Sequence, residues 1–587
     1  MKIREYISKI FSRIGNIFSI KFLLLILIFF SFFPIPFWHR IQSSKNLTDL
    51  FIFTFLILVC GTNFFRQLKF SLIFDVLLIL TLSIYYYFES FFNTKINFSL
   101  IQYYCENFSL LLEDSVNFLR TIPMGMHIQI ISFIFLLVLI QDYKNIFYER
   151  LKKYRKWLIT TLLFLHISIS IIHHQSQYNE ENRISTSKIL NMDNVDLDSV
   201  DNSYEKQINL QIGTDIFIFL LEGVNFKSWN EISKNSFKYN DSFLSIDHCF
   251  ISVPHSSKSI YTLLTGEIQI EKSRSVVTPN NINFNLSKYF ESQGYDTYFV
   301  FTQSFYLEGI DTYAKQFFKD STDAQGLEEW GIKHNIITEK FPWGINDEIL
   351  NDYVPKEILK SQKPIFSVIG FSNTHSPYFV SSRNPDSKKE NLTSLQRFNS
   401  SLKQTIQVLN KLINKINSVR KTEPLIIILS DHGESFGENN FWKHNYSILN
   451  QETQIPCLIK NKIITNRNRI SKASLSDFYP SIISIFNESS ENSKAFKKKS
   501  NQDSYQEIFH SNRSRNFFSK NYNLEIPLKT WNVDSSLGYI QNDKKYILYK
   551  ETGILNSMDL DESKIERSSS EKDINLFYSQ WNRLKTR

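Results

Sequence analysis

The stretch Pro254 to Gly266, PHSSKSIYTLLTG, sets three hydroxyls (Ser256, Ser257 and Ser259) beside His255 and Lys258, ahead of an apolar run that closes on Gly266. This is the arrangement of a nucleophile at a helix start. A serine hydroxyl attacks poorly near neutral pH, so it needs a base or a bound metal to lower its pKa, and a cation nearby to accept an anionic substrate. Ser256 is the expected nucleophile, with Ser257 and Ser259 as competitors, and Lys258 is the expected cation. Ser and Lys opening a helix also describe an ordinary capped, solvated N-terminus. The choice between the two depends on what the rest of the chain brings to that helix.

From Asp215 onward short, doubly apolar runs alternate with helical stretches, the pattern of a mostly parallel sheet covered on both faces. The clearest runs are DIFIFLLEG (Asp215 to Gly223), YDTYFVFT (Tyr295 to Thr302), PIFSVIGFSNTH (Pro364 to His375) and PLIIILSDHGE (Pro424 to Glu434). The first ends in Glu222, the third in His375 and the fourth in Asp431 and His432. Ligands of open α/β sheets bind beyond the carboxyl ends of the strands, where residues distant in sequence converge. Singly, a Glu after a strand is commonly a first-turn carboxylate and DHG a turn. Jointly, two carboxylates, an imidazole and the Ser256 hydroxyl make a hard divalent site whose oxygen-rich donor set suits manganese or zinc.

The remaining composition points to lipid. The 587 residues include 52 Phe and 28 Tyr against 16 Gly, more large apolar surface than one soluble core needs. Five apolar runs, roughly 19–38, 48–65, 70–88, 122–141 and 157–173, have the length of bilayer spans or nearly so. Basic residues precede the first run, lie between the second and third, and cluster from Lys144 to Lys156 between the fourth and fifth. With five spans these segments share one side, which is cytoplasmic by the positive-inside rule, and everything after residue 174 lies outside. The net charge of +8 is accounted for by those blocks and predicts no nucleic-acid partner. Cys60, Cys105, Cys249 and Cys457 form no CxxC pair, so neither a zinc knuckle nor a disulfide framework is expected.

PHSSKSIYTLLTG, SDHGE, KHNYSILNQETQIPCLI (Lys443 to Ile459) and WGINDE (Trp343 to Glu348) together resemble the alkaline phosphatase superfamily. Within it they are most similar to the sulfatase-like branch that contains lipoteichoic acid synthases and phosphoethanolamine transferases. The resemblance covers about residues 213–485, with a looser echo in GYIQNDKKYILYKETGILNSMDLDE (Gly538 to Glu562). It implies Glu222, Asp431 and His432 as metal ligands and Ser256 as ligand and nucleophile where the transferases have Thr. It further implies His375 in contact with the substrate anion and His444 stabilising the leaving group or the anion. Two departures separate the chain from the sulfatases proper: Ser256 is followed by SKSI, with neither the Pro nor the Arg of the SxPxR context that directs formylglycine formation, and Glu222 is followed by Gly223 where sulfatases usually have two adjacent Asp after the first strand.

The expected architecture is a five-span helical membrane domain (1–174), a linker (175–213), a sulfatase-like α/β catalytic domain (214–485), a flexible Ser-, Lys- and Asn-rich insertion (486–512) and a C-terminal subdomain with a small antiparallel sheet (513–587). The expected function is transfer of a phosphoglycerol- or phosphoethanolamine-type head group from a membrane phospholipid or lipid-linked donor to an envelope glycan or lipid. It would occur outside a bacterial-type cytoplasmic membrane, through a covalent serine intermediate. The alternatives are a membrane-tethered sulfatase or phosphatase using water, and a catalytically inactive envelope binding protein.

Overall fold

A computed structural model describes residues 210–270, 277, 284–306, 309–388, 392–465, 470–487, 516–519, 522–531, 536–550 and 552–585. The five expected spans, most of the linker and most of the insertion lie outside the described residues. Among the described residues no helix is long and apolar enough to cross a membrane.

The central sheet has seven strands: β1 (Ile216–Leu221), β2 (Leu244–Ser245), β3 (Asp296–Phe301), β4 (Asp320–Thr322), β5 (Ile365–Phe371), β6 (Leu425–Ser430) and β7 (Cys457–Lys460). Their order is β2-β7-β6-β1-β5-β3-β4. The five strands from β6 to β4 are parallel, while β7 runs antiparallel to β6 and β2 antiparallel to β7. All four apolar runs read from the sequence are strands of this sheet. An α/β domain with a mostly parallel sheet is therefore the fold of this region.

Strand β1 is apolar at every position because both its faces are covered. Ile216, Ile218 and Leu220 join one core, while Phe217, Phe219 and Leu221 join the other. On the first face lie α2 (Ser256–Thr265), through Ile260, Tyr261, Leu263 and Leu264, and α4 (Phe478–Asn487). The second face takes α3 (Ser394–Val419), which buries Leu402, Ile406, Leu409, Leu412, Ile413 and Ile416, and Trp229 of α1 (Phe226–Ser236). The spacing of the apolar residues in α3 keeps them on one helical stripe. Thr393 and Gln396 close a capping box at its start, which satisfies two amides that the first turn leaves over.

Five further strands form an antiparallel sheet in chain order: β8 (Ile526–Lys529), β9 (Ser536–Gln541), β10 (Lys544–Tyr549), β11 (Ile554–Asp559) and β12 (Ile565–Ser568). A helix, α5 (Glu571–Lys585), packs on it through Phe577, Tyr578, Trp581 and Leu584. The β9–β10 hairpin turns on Asn542 and Asp543, both at positive φ, as a two-residue hairpin loop demands.

Candidate active site

In register, Leu221 of β1 lies opposite Phe371 of β5 on one side and Ser430 of β6 on the other. The ladder runs one residue further, since Glu222 N donates to Phe371 O (3.1 Å) and Asp431 N to Leu221 O (3.1 Å). Glu222, Ser372 and Asp431 thus leave the sheet at the same level at its carboxyl edge. Beyond that edge α2 begins at Ser256 and ends at Gly266, which adopts the left-handed conformation.

Glu222, Asp431 and His432 are fully buried and offer ligand atoms within 4.8 Å of one another, the group of described residues able to hold a metal ion. Ser256 Oγ lies 3.2 Å from Glu222 Oε1 and 3.1 Å from His432 Nε2. The same Nε2 is 3.2 Å from Glu222 Oε1 and 3.7 Å from Asp431 Oδ2. The surrounding backbone fixes each group. Asp431 Oδ1 accepts from Gly223 N (3.0 Å) and His432 N (2.7 Å), which turns Oδ2 inward. His432 donates from Nδ1 to the Gly433 carbonyl (3.0 Å), which orients the ring so that Nε2 faces Ser256. Thr374 Oγ1 donates to the Glu222 carbonyl (2.6 Å) and ties the end of β5 to the end of β1.

These residues fit one divalent cation. Glu222 Oε2 and Asp431 Oδ2 are buried and accept no hydrogen bond, a costly state for two carboxylate oxygens unless a cation stands between them. The charges lean the same way. Burial, and then the charge of Asp431, push Glu222 well above the usual carboxylate range. Burial alone would lower His432, but Asp431 and Glu222 outweigh it and hold that imidazole up at about 10. Each shift shows the cluster drawing in positive charge, which a bound ion supplies.

A second group of side chains adjoins the first. The His444 ring lies 4.0 Å from the His432 ring, centroid to centroid, and 6.2 Å from that of His375. His444 Nδ1 is 3.3 Å from Glu434 Oε2. His375 donates from Nδ1 to Ser376 O (2.7 Å) and packs 4.8 Å from the Trp343 ring. Burial lowers the pKa of His375; burial and then the neighbouring His432 and His375 push His444 well below its ordinary value. Burial raises Glu434 to about 7, against the pull of His432 and His375.

The structure thus brings Glu222, Ser256, Asp431 and His432 together and sets His444 and His375 beside them. Lys258 is placed elsewhere. Its Nζ donates to Gln269 O (2.9 Å) and lies 3.8 Å over the Trp531 ring. The reason is helical geometry: residues two apart in a helix point to opposite sides, so a lysine at that spacing cannot share the face of Ser256. Glu434 is the residue that sequence reasoning passed over. It stands in the quoted SDHGE, and the signal that could have found it is its position two residues past His432, just ahead of the short strand Ser435–Phe436 whose partner, Trp442–Lys443, leads into His444.

Residues 231–488 match the sulfatase family model, a stretch that holds Ser256, His375, Asp431, His432 and His444 and begins just after Glu222. The match covers less than half of the 587 residues and says what this stretch is similar to. No curated protein sequence matches it. Solved structures similar to it include an alkaline phosphatase superfamily protein from Vibrio parahaemolyticus (16% identity, 68% of this chain and 92% of that one, TM-score 0.44). The lipoteichoic acid synthase LtaP from Listeria monocytogenes is similar at 12% identity, over 69% of this chain and 96% of that one, with TM-score 0.45. Lipooligosaccharide phosphoethanolamine transferase A from Neisseria meningitidis is similar at 14% identity, over 81% and 94%, with TM-score 0.42.

Proposed function

We propose that this protein is a membrane-anchored, metal-dependent phosphotransferase. It moves a phosphoglycerol- or phosphoethanolamine-type head group from a lipid donor to an envelope acceptor through a phosphoserine at Ser256. The observation that carries the reading is the Ser256 hydroxyl, 3.2 Å from Glu222 and 3.1 Å from His432 at a helix start, in a sequence without the formylglycine context. An unmodified serine suits phosphoryl transfer, whereas sulfate-ester cleavage in this family rests on the modified residue.

Glu222, Asp431, His432 and Ser256 Oγ would hold one manganese or zinc ion, which lowers the pKa of the hydroxyl and offsets charge on the phosphoryl oxygens. Ser256, its hydroxyl proton lost to solvent before the attack, adds through Oγ to phosphorus in line, forming the O–P bond as the bond to the donor alcohol breaks, and leaves the cycle as the same alkoxide. The first-turn amides of α2 have no partner within the helix, and they face the anion with the positive end of the helix dipole behind them. His444 and Glu434, the latter at about 7, share a proton near neutral pH that the departing alkoxide takes up. In the second half the acceptor hydroxyl gives its proton back to that pair, attacks phosphorus and frees Ser256. His375 binds a substrate oxygen through Nε2, its Nδ1 being committed to Ser376 O.

The five apolar runs over residues 1–174 supply the anchor and keep the site close to lipid donors at high local concentration. Reporter fusions after residue 150 and after residue 200 test that topology; activity of both on one side of the membrane excludes five spans. The chemistry is tested by mass spectrometry of protein trapped with a phospholipid or model phosphodiester. A phospho-adduct on the peptide containing Ser256 is expected, and a formylglycine at that position would replace the reading by a sulfatase.

A further inference from the structure

The start of α2 is held in an unusual way. His255 occupies the N-cap but gives no side-chain hydrogen bond to the first turn, so the common device for fixing a helix start is missing just before the nucleophile. Local bonds include His255 N to Val253 O (2.8 Å), Ser259 N to His255 O (2.9 Å) and Ser259 Oγ to Val253 O (3.2 Å), and Tyr313 Oη donates to Ser257 O (3.0 Å) from the middle of the chain. Further support comes from the far end of the chain. Lys529, the last residue of β8, donates from its backbone N to Ser252 O (3.0 Å) in the segment that leads into the helix. Two residues on, the fully buried Trp531 presents its ring edge-on to His255, with centroids 5.8 Å apart at 86°. The same ring takes Lys258 Nζ over its face at 3.8 Å while that ammonium donates to Gln269 O (2.9 Å).

Trp531 therefore touches the residue before Ser256 and the residue two after it. Burying an ammonium is costly, and Lys258 is 1% exposed. In this position the cost has a return: the desolvated ammonium and the indole attract each other strongly, and both are rigidly held. We infer that Trp531 and Lys258 are positioning residues for Ser256. By this device the C-terminal antiparallel sheet sets the place of the nucleophile as well as covering the domain. The inference rests on the reading of Ser256 as the nucleophile.

The test uses the full chain with its metal and a chromogenic phosphodiester, and compares Trp531→Leu, Trp531→Phe, Lys258→Met, the Leu/Met double variant and Ser256→Ala. Loss of the clamp lets the hydroxyl shift by a fraction of an ångström to an ångström, so Trp531→Leu should lose kcat by roughly 10- to 100-fold. KM and the metal content should stay near the parent values. Phe restores a ring for both partners and should recover most of the kcat. Lys258→Met keeps the side chain's length and loses its charge, so it should match Trp531→Leu. The double variant should be no worse than the poorer single, because both remove one clamp. Parent kcat in Trp531→Leu, or multiplicative losses in the double variant, would overturn the inference, as would equal losses in Leu and Phe accompanied by falling metal content. Should Trp531→Leu fail to fold, Lys258→Met decides alone, parent kcat there overturning the clamp. Ser256→Ala separates the two levels of the argument: turnover surviving in it refutes the nucleophile, whereas a dead Ser256→Ala beside a normal Trp531→Leu refutes only the clamp.

Discussion

Gly433 stands between His432 and Glu434, and a methyl group there tests whether the geometry of both groups depends on how closely this loop approaches its neighbour. A Cβ built on Gly433 would fall inside the van der Waals envelope of the Gln451 carbonyl oxygen and lie 2.8 Å from Asn225 Cβ and 3.0 Å from the Gln451 carbonyl carbon. The obstacle is backbone that cannot swing aside, and it is tied in place by the bond from Gly433 N to Glu452 O (2.9 Å). To reach ordinary contact the two segments must part by roughly 1 Å. That displacement carries His432 away from Glu222 and Ser256, and it breaks the Nδ1 bond to the Gly433 carbonyl that orients the ring. Gly433→Ala should therefore lose about 1–3 kcal/mol of stability by overpacking, and on the order of 10²-fold in kcat by misplacement. Gly223→Ala provides the contrast. Its φ of +64° costs about 1 kcal/mol for a residue with a Cβ, but its nearest obstacle is the Glu434 side chain at 3.3 Å, which can give way. The assays are denaturant midpoints and steady-state turnover of a phosphodiester by each purified variant. Parent turnover and an unshifted midpoint in Gly433→Ala would refute the reasoning.

Two further predictions concern the supports of the sheet edges. Arg420 pairs with the buried Asp215 through Nε–Oδ2 (2.6 Å) and Nη2–Oδ1 (3.0 Å), so Arg420→Ala should cost about 3 kcal/mol by stranding a buried charge, with metal content unchanged in the folded fraction. Asp347 is buried and accepts from Thr302 Oγ1, Ser372 N, Asn373 N and Thr405 Oγ1, yet burial raises its carboxyl to about 6 in spite of them. The folded state thus holds this proton more tightly than the unfolded chain. The stability it gives is complete below about pH 4 and is lost as pH rises through about 6; Asp347→Asn should remove that slope from midpoints measured across the window.

What the sequence made legible was whatever depended on local pattern. Ile216–Leu221, Asp296–Phe301, Ile365–Phe371 and Leu425–Ser430 read as strands because each is apolar on both faces, and their polar ends marked Glu222, His375, Asp431 and His432. The antiparallel sheet near the C-terminus was visible in the alternation of YIQNDKKYILYK, whose Asn-Asp pair supplies the hairpin turn. What depended on contacts between distant segments was not visible. Lys258 looked like a substrate cation because sequence proximity to Ser256 says nothing of direction; the helix turns it toward Trp531, whose packing there no local pattern announces. Likewise WGINDE stood out as a motif, but the four donors that Asp347 within it accepts from come from three other parts of the chain. The resemblance drawn from the sequence motifs supplied roles for His375 and His444, and the structure adds Glu434 as the group that holds His444.

The central claim is that Glu222, Ser256, Asp431 and His432 close around a single divalent ion. It is tested most directly by metal analysis of the purified chain together with anomalous scattering from its crystals, for the parent and for Asp431→Ala and His432→Ala. The account predicts one manganese or zinc ion per chain, with its anomalous peak among Glu222 Oε2, Asp431 Oδ2, His432 Nε2 and Ser256 Oγ, and loss of that ion in both variants. Full occupancy in either variant, or a peak away from these four atoms, would contradict it.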